Sequence, residues 1–186
     1  MEEKFIEDGV RTRLILAGIN ELEERGIRNF SLRRAALAAQ VSCAAPYRHF
    51  RDKEEFIAEI ISYIGSRWRL LSIEIIRAFE GDVRQTIIEL AVANLRFWLA
   101  NPNFRTVLMA LSPDVAGKNV LLTLDGSITD AIDKYCEQKG EKNIADVKKF
   151  AVRTSIYGSV MLAGLGDGST ATVELLRKRL EEEFPE

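Results

Sequence analysis

Five side chains that can bind phosphate lie within a short stretch of the chain: Tyr47, Arg48, His49, Arg51 and Lys53. Arginine and lysine attract phosphate by charge, and tyrosine and histidine can donate hydrogen bonds to its oxygen atoms. Residues 25–53 carry seven Arg or Lys residues and one acid, a local charge of +6 in a chain whose net charge is −2. A basic patch on an acidic body predicts contact with the DNA backbone at one end of the molecule. A solvated charged face would have the same composition, so charge alone leaves both interpretations open.

The residues before and within this cluster have the pattern of two short helices joined by a tight turn. Ser31 is a good N-cap for the first helix, because its hydroxyl can accept a free backbone N–H of the first turn. A small core face is predicted by residues that recur at helical spacing: Leu32, Ala35, Ala36 and Ala39. Val41 fills the turn, Ser42 can cap the second helix, and Pro46 falls in its first turn. A helix of this size fits the major groove of B-DNA, where its first residues reach base edges.

Longer helices must position this pair. An apolar stripe that ends at Gly26 predicts a first helix, and residues 52–55 have the form of a capping box that begins a fourth helix, expected to run to about Glu80. Helical periodicity predicts five more helices, over about 82–100, 104–111, 119–139, 144–164 and 171–183. No strand alternation persists anywhere. We therefore predict an all-α protein of about nine helices, with an N-terminal domain at 1–52 and a second helical domain at 53–186.

Composition excludes several classes of protein. With 186 residues, 47% of them hydrophobic, the chain can bury a substantial core. Its acidic N-terminal stretch lacks the apolar region of a signal peptide, and no uncharged run approaches the roughly 20 residues of a membrane helix. Cys43 and Cys136 are isolated, which predicts neither a disulfide framework nor a zinc site and favours the reducing cytoplasm. The sole histidine is His49, and no HExxH, nucleophile elbow or P-loop occurs. An enzyme is therefore disfavoured, and no metal or cofactor is expected.

The most specific part of the sequence is the run Ala44-Ala45-Pro46-Tyr47-Arg48-His49-Phe50, followed two residues later by Lys53-Glu54-Glu55-Phe56. Together with Ser31-Leu32-Arg33, Ala36, Ala39 and Val41-Ser42, it makes residues 11–57 resemble the N-terminal DNA-binding domain of the tetracycline-repressor (TetR) family of bacterial transcription regulators. Two residues depart from the family pattern: Gln40 replaces the usual turn glycine, and Ala35 a larger apolar residue. If Gln40 is left-handed, we expect strain of about 1–2 kcal/mol.

The resemblance implies which residues meet the DNA. Cys43, Ala44 and Ala45 are expected to face base edges, where alanine can touch a thymine methyl group. Arg48 is expected to reach a guanine or a phosphate. Phosphate contacts are implied for a further set: Ser31, Arg33, Tyr47, His49 and Lys53. The alternative for His49 is a structural hydrogen bond, and for Cys43 a redox role, since a helix N-terminus favours the reactive thiolate.

The resemblance also implies a homodimer and an effector site in the second domain. The last two helices are expected to pair with those of a second copy through small and apolar residues: Ala151, Ser155, Ser159, Ala163, Val173, Leu176 and Leu180. Packing against the fifth helix of the same chain is the alternative. A pocket for a small organic effector is expected to be lined by Asn94, Trp98, Phe104, Met109, Tyr135, Arg153, Tyr157 and Met161. Any one of these side chains could instead belong to an ordinary core.

The preferred functional hypothesis is a cytoplasmic, homodimeric repressor of transcription. Such a protein binds a palindromic operator in double-stranded DNA and leaves it when a small-molecule effector favours another conformation. The alternative is a DNA-bound adaptor that is controlled by a protein partner and has no small ligand. An all-helical enzyme is the third hypothesis, and the sequence offers no catalytic motif for it.

Overall fold

The computed structural model describes residues 2–102, 119–164 and 169–186, and no strand occurs in these ranges. These ranges contain eight α-helices: α1 Glu2–Asn29, α2 Leu32–Ala38, α3 Pro46–His49, α4 Lys53–Ala78, α5 Val83–Ala100, α6 Asn119–Lys139, α7 Ala145–Gly164 and α8 Ser169–Glu183. A short 3-10 helix, Lys142–Ile144, precedes α7. The predicted all-α fold is confirmed, and the helix expected over 104–111 lies outside the described residues. Within the same ranges, no helix combines the length and hydrophobicity needed to cross a membrane.

Capping side chains fix several helix starts where the sequence predicted them. Ser31, Asp52 and Asp82 each accept a hydrogen bond from the backbone N–H three residues later, at 3.4, 2.8 and 2.9 Å. Gly26 interrupts α1 with a φ of +70°, and Gly140 follows α6 with a φ of +72°. Glycine adopts this left-handed conformation without the steric cost of a Cβ atom. These helix boundaries are therefore set by capping side chains and glycines that can be recognised in the sequence.

The described chain divides into two compact units. The first contains residues 2–66 and the described part of Pro102–Val120, and the second contains Arg67–Asn101 and the described part of Leu121–Glu186. The division falls inside α4, and the domain boundary expected after residue 52 stays a prediction. In the first unit α1 packs against α2 and α3, and α2 packs against α3. In the second unit α5, α7 and α8 pack against one another.

In the first unit, α1 and α4 approach each other closely at Gly18. A Cβ atom added there would lie 2.3 Å from Phe56 Cε1 and 2.9 Å from Ile60 Cδ1, so the contact requires glycine. The Phe56 ring packs edge-on against Phe50 at 4.5 Å and lies 5.5 Å from Phe30. All three rings are buried. Phe30 precedes α2, Phe50 follows α3 and Phe56 lies on α4, so this aromatic cluster connects both ends of the α2–α3 segment to α4.

In the second unit, residues 183–185 are held by side chains from three helices. Their carbonyl oxygens accept hydrogen bonds from Lys148 Nζ at 2.8 Å, Arg84 Nε at 2.5 Å and the Tyr135 hydroxyl at 2.8 Å. The ring of Phe184 is fully buried and packs edge-on against Tyr135 at 5.1 Å. The end of α8 is thereby fixed to α5, α6 and α7.

Candidate functional site

The turn after α2 closes through a Schellman motif with Gln40 at its left-handed position. The Val41 N–H bonds to the Ala36 carbonyl, and the Gln40 N–H to the Leu37 carbonyl, each at 3.0 Å. Gln40 has a φ of +57° and an exposed side chain. This bond pattern requires a left-handed residue, which is why glycine is usual there. The conditional expectation for Gln40 is therefore met, and the strain falls on the turn that sets the angle between α2 and α3.

The segment that leads into α3 is a turn and not a helix. Because Pro46 has no N–H, the Ser42 carbonyl cannot accept the bond that would begin a helix there. It accepts the Ala45 N–H at 2.9 Å instead, and α3 begins at Pro46 without a side-chain cap. The prediction that Ser42 caps the second helix is thus wrong. Residues 43–45, here called the reading turn, precede a recognition helix of a single turn.

The side chains predicted to contact DNA differ in exposure. The exposed ones are Arg33, Ala44, Tyr47 and Arg48, and the half-buried ones are Ser31, Cys43, Ala45, His49 and Lys53. Tyr47 exposes 63% of its surface, which is high for a large aromatic residue. Within the described residues, neither Arg33 nor Arg48 forms an ion pair. Their guanidinium groups are therefore available to bind an outside anion.

Lys53, which was expected to bind phosphate, has partners inside the unit. Its Nζ atom donates a hydrogen bond to the Ile27 carbonyl at 2.6 Å and lies 5.7 Å from the centre of the Phe30 ring. These contacts attach the start of α4 to the segment between α1 and α2. A phosphate contact by Lys53 stays a prediction, and it would have to share the ammonium group with these partners.

Two further arginines of the basic cluster are paired with carboxylates. Arg34 Nε donates to the buried Glu21 at 2.7 Å, and this hydrogen bond raises the pKa of Arg34. Arg51 donates to Glu55 from its backbone N–H at 2.6 Å and from Nε at 3.0 Å, and these bonds lower the pKa of Glu55. The local excess of positive charge is therefore partly used to hold the helices together. Sequence alone could count these charges but could not find their partners.

In the second unit, two of the predicted pocket residues bond to each other. Trp98 Nε1 donates to Asn94 Oδ1 at 2.9 Å, and both side chains are buried. Asn94 Nδ2 and the indole N–H of Trp68 are also buried, yet neither has a hydrogen-bond partner among the residues that the structure describes. The Phe97 ring lies 5.8 Å from Trp68 and 5.7 Å from Trp98. Trp68 was not singled out, because its helical spacing is that of an ordinary core residue.

Two more predicted pocket residues meet at Asp125, which the sequence analysis missed. The Tyr157 hydroxyl donates to Oδ1 at 3.2 Å, and Arg153 Nε lies 2.9 Å from Oδ2. The buried Oδ2 atom is therefore partnered by the Arg153 guanidinium through an ion pair. Burial raises the pKa of Asp125 and, together with the Asp125 charge, that of Tyr157. A lone acid in a helix ordinarily faces solvent, and no sequence signal marked this one.

The remaining pocket predictions are placed elsewhere. Tyr135 packs beneath residues 183–185, and Met161 exposes 54% of its surface. Phe104 and Met109 lie outside the described residues. The structure therefore brings the predicted residues together as two pairs, one at Asn94 and one at Asp125. Across the described ranges, no group of three or more His, Cys, Asp or Glu side chains could hold a metal ion.

Residues 14–60 match the family model described as bacterial regulatory proteins, TetR family. A TetR family transcription regulator from Marinobacter aquaeolei VT8 is 18% identical and has a TM-score of 0.78, with 98% of each chain covered. Residues 14–60 are therefore a DNA-binding domain of the TetR type, and the described fold is that of TetR-family regulators. The family resemblance read from the sequence is thereby confirmed, and the chain is a DNA-binding transcriptional regulator.

Two further solved structures share this TetR fold. FadR from Bacillus subtilis, determined in complex with stearoyl-CoA, is 15% identical, with a TM-score of 0.75 over 93% of this chain and 97% of its own. A putative fatty acid metabolism regulator from Clostridium perfringens is 16% identical, with a TM-score of 0.71 over 94% and 99%. At these identities the likeness concerns the fold alone. A search of curated protein sequences gives no match.

The apolar stripe of α8 faces inward. Val173, Leu176 and Leu180, expected at a dimer interface, expose 8%, 3% and 1% of their surfaces. They are buried because α8 packs against α5 and α7, which was the alternative left open by the sequence. Arg177 reinforces this packing through two hydrogen bonds to Glu89, at 2.6 and 2.9 Å. These three side chains are therefore not available as an exposed contact surface.

A different set of apolar residues on α7 and α8 faces outward. Its members are more than half exposed: Val147, Phe150, Met161, Leu162 and Leu175. The small residues expected at a dimer interface are half-buried beside them on α7: Ala151, Ser155, Ser159 and Ala163. The sequence analysis found the small residues but missed the large ones, although Val147, Phe150 and Met161 follow a helical spacing.

Proposed function

We propose that this TetR-family regulator is a homodimeric, cytoplasmic repressor that leaves a palindromic operator when a small organic effector binds. The observation that carries the proposal is the first unit, with its family match at 14–60 and its exposed Arg33, Tyr47 and Arg48. A two-fold symmetric dimer would present two recognition helices about 34 Å apart, to successive major grooves. Effector binding would shift α4, which belongs to both units, and so change that spacing.

Selection of bound duplexes from a random DNA pool, at a stated salt concentration, tests the operator. We expect an enriched palindrome, and a failure to enrich any sequence would contradict a sequence-specific regulator. A reporter gene placed behind the enriched site then tests repression. Lower expression in the presence of the protein is expected, and higher expression would indicate an activator.

Arg48 and Arg51 provide a matched pair for testing the DNA contacts. Arg48 is exposed without an ion-pair partner among the described residues, whereas Arg51 is paired with Glu55. Arg48→Ala is expected to reduce the slope of log affinity against log salt by about one, the value of one phosphate contact. Arg51→Ala is expected to change it less. Equal effects of the two substitutions would contradict the proposed role of Arg48.

The outward face of α7 and α8 is the proposed dimer surface. Its exposed apolar side chains surround small residues that allow close helix approach, and a second copy would cover a patch that is unfavourable in water. Phe150→Glu is expected to produce monomers in sedimentation velocity experiments. Leu70→Glu is the control, because Leu70 is exposed to a similar extent, 63% against 69%, but lies on α4. Dimers that persist in Phe150→Glu, or are lost in both variants, would contradict the assignment.

The interior of the second unit is the proposed effector site. Burying a polar group without a partner costs about 1–3 kcal/mol, and within the described residues Trp68 Nε1 and Asn94 Nδ2 are such atoms. A ligand that bonds to them would offset this cost, and the half-exposed Arg153 gives its polar groups a charged anchor.

A thermal-unfolding screen tests this site, with stearoyl-CoA as the first compound because the similar FadR structure contains it. An effector is expected to raise the melting temperature and lower operator affinity, since it binds only the folded chain. Asn94→Leu and Arg153→Leu are expected to reduce the shift. A compound that stabilises both variants as strongly as the unmodified chain would contradict these anchors.

A further inference from the structure

The reading turn, residues 43–45, offers DNA a surface with almost no hydrogen-bonding side chain. Ala44 is exposed, and the two residues beside it are half-buried. The Cys43 thiol is the only polar group among the three side chains, and thiols bond weakly. Stronger polar groups flank the turn, at Ser42 before it and at Tyr47 and Arg48 after it.

The backbone of this turn is also partly occupied. The Ala45 N–H is used by the Ser42 carbonyl at 2.9 Å, and Pro46 has no N–H to offer. Two of the amide positions that could have compensated for the apolar side chains are therefore not free to read a base. Among the side chains of the turn, what remains for direct contact is chiefly the methyl group of Ala44 and the side chain of Cys43.

The four bases differ in how favourably their major-groove edges contact an apolar protein surface. Guanine, adenine and cytosine present hydrogen-bonding groups there, whereas thymine also presents a C5-methyl group. A protein methyl placed over a polar edge removes water without replacing its hydrogen bonds, which is unfavourable. The same group placed over a thymine methyl buries apolar surface on both sides, which is favourable.

We propose that each operator half-site carries thymine at the base pairs facing Cys43 and Ala44, and that the protein recognises these thymines by their methyl groups. Recognition at these positions requires no hydrogen bond from the reading turn. The polar side chains that flank the turn contact phosphates and neighbouring base pairs. This inference rests on the proposed function, because a protein that reads no DNA sequence has no half-site.

Deoxyuridine tests the proposal, because it differs from thymidine only by the missing methyl group. In the palindrome obtained by selection, each thymine of one half-site is replaced in turn and binding is measured at constant salt. At one or two positions we expect affinity to fall about fourfold, the equivalent of one buried CH₂ group, and about 16-fold when both half-sites are changed. Uracil at the other positions is expected to leave affinity unchanged.

Ala44→Gly removes the methyl group on the protein side. This variant is expected to bind the thymine and uracil operators almost equally at the position facing residue 44. The added freedom of glycine in the unfolded chain is expected to lower the melting temperature slightly, and comparing the two operators on the same variant separates lost readout from lost folding. If the variant still prefers thymine at every position, the assignment to Ala44 is overturned.

The remaining outcomes separate this inference from the proposed function. A palindrome that is bound equally well with uracil at every thymine would overturn methyl recognition and leave the proposed regulator intact. A palindrome with no thymine in either half-site would do the same. The absence of any enriched sequence would overturn both.

Discussion

Replacing Gln40 with glycine is expected to stabilise the first unit. A residue with a side chain in the left-handed region costs about 1–2 kcal/mol, and Gln40 has a φ of +57° within a fully formed Schellman motif. Glycine removes that cost, but its greater conformational freedom stabilises the unfolded chain and so offsets about 0.5–1 kcal/mol of the gain. We therefore expect a net gain of about 0.5–1 kcal/mol in the free energy of unfolding of this unit.

Hydrogen exchange is the suitable assay, because both tryptophans lie in the second unit and do not report on the first. The slowest-exchanging amides of residues 31–60 are expected to exchange about two- to fivefold more slowly in Gln40→Gly, the factor that corresponds to this free energy. Gln40→Ala is the matched control, because it removes the same exposed side chain but keeps the Cβ atom. If alanine stabilises the unit as much as glycine, or if neither has any effect, the strain argument is wrong.

Three further substitutions test the packing and charge of the two units. Gly18→Ala is expected to destabilise the first unit by about 1–3 kcal/mol, because its Cβ would overlap Phe56; an unchanged urea midpoint would contradict the close contact. Phe184→Ala is expected to cost about 3–5 kcal/mol in the second unit, measured by tryptophan fluorescence in urea, and a loss below about 1 kcal/mol would show that the ring is not a core residue. Because the pKa of Asp125 is raised in the folded protein, its protonated form stabilises the fold. This stabilisation is fully present below pH 3.8, the ordinary pKa of aspartate, and is lost as the pH rises through the raised pKa. The free energy of unfolding of Asp125→Asn, relative to the unmodified chain, is therefore expected to be higher at pH 7 than at pH 4, and the opposite trend would contradict the sign of the shift.

Much of the first unit could be predicted because its signals are local. The caps at Ser31 and Asp52, the stop at Gly26 and the left-handed turn at Gln40 each depend on a few neighbouring residues. The start of α3 was misjudged because two local signals compete there. Ser42 is a good capping residue, but the proline four positions later removes the N–H on which that helix turn depends.

The second unit was less predictable because its site depends on which face of each helix is covered. The stripe of Val173 and Leu176 is apolar whether it meets the same chain or a second copy, and the pattern alone does not decide between them. The same holds for Asp125, whose burial follows from the neighbours Arg153 and Tyr157, 28 and 32 residues further along. Periodicity gives the direction of a side chain around its helix but not the identity of what it meets.

The contacts that hold residues 183–185 also bear on how the protein is made. They join residues up to 100 positions apart, as between Arg84 and Phe184, whereas Arg34 and Lys53 in the first unit reach partners only 13 and 26 positions away. Short-range contacts close first, and a ribosome completes the N-terminal residues first. We therefore expect the DNA-contact surface of a nascent chain to fold while α5–α8 are still unfolded, because residues 183–185 have not yet been synthesised.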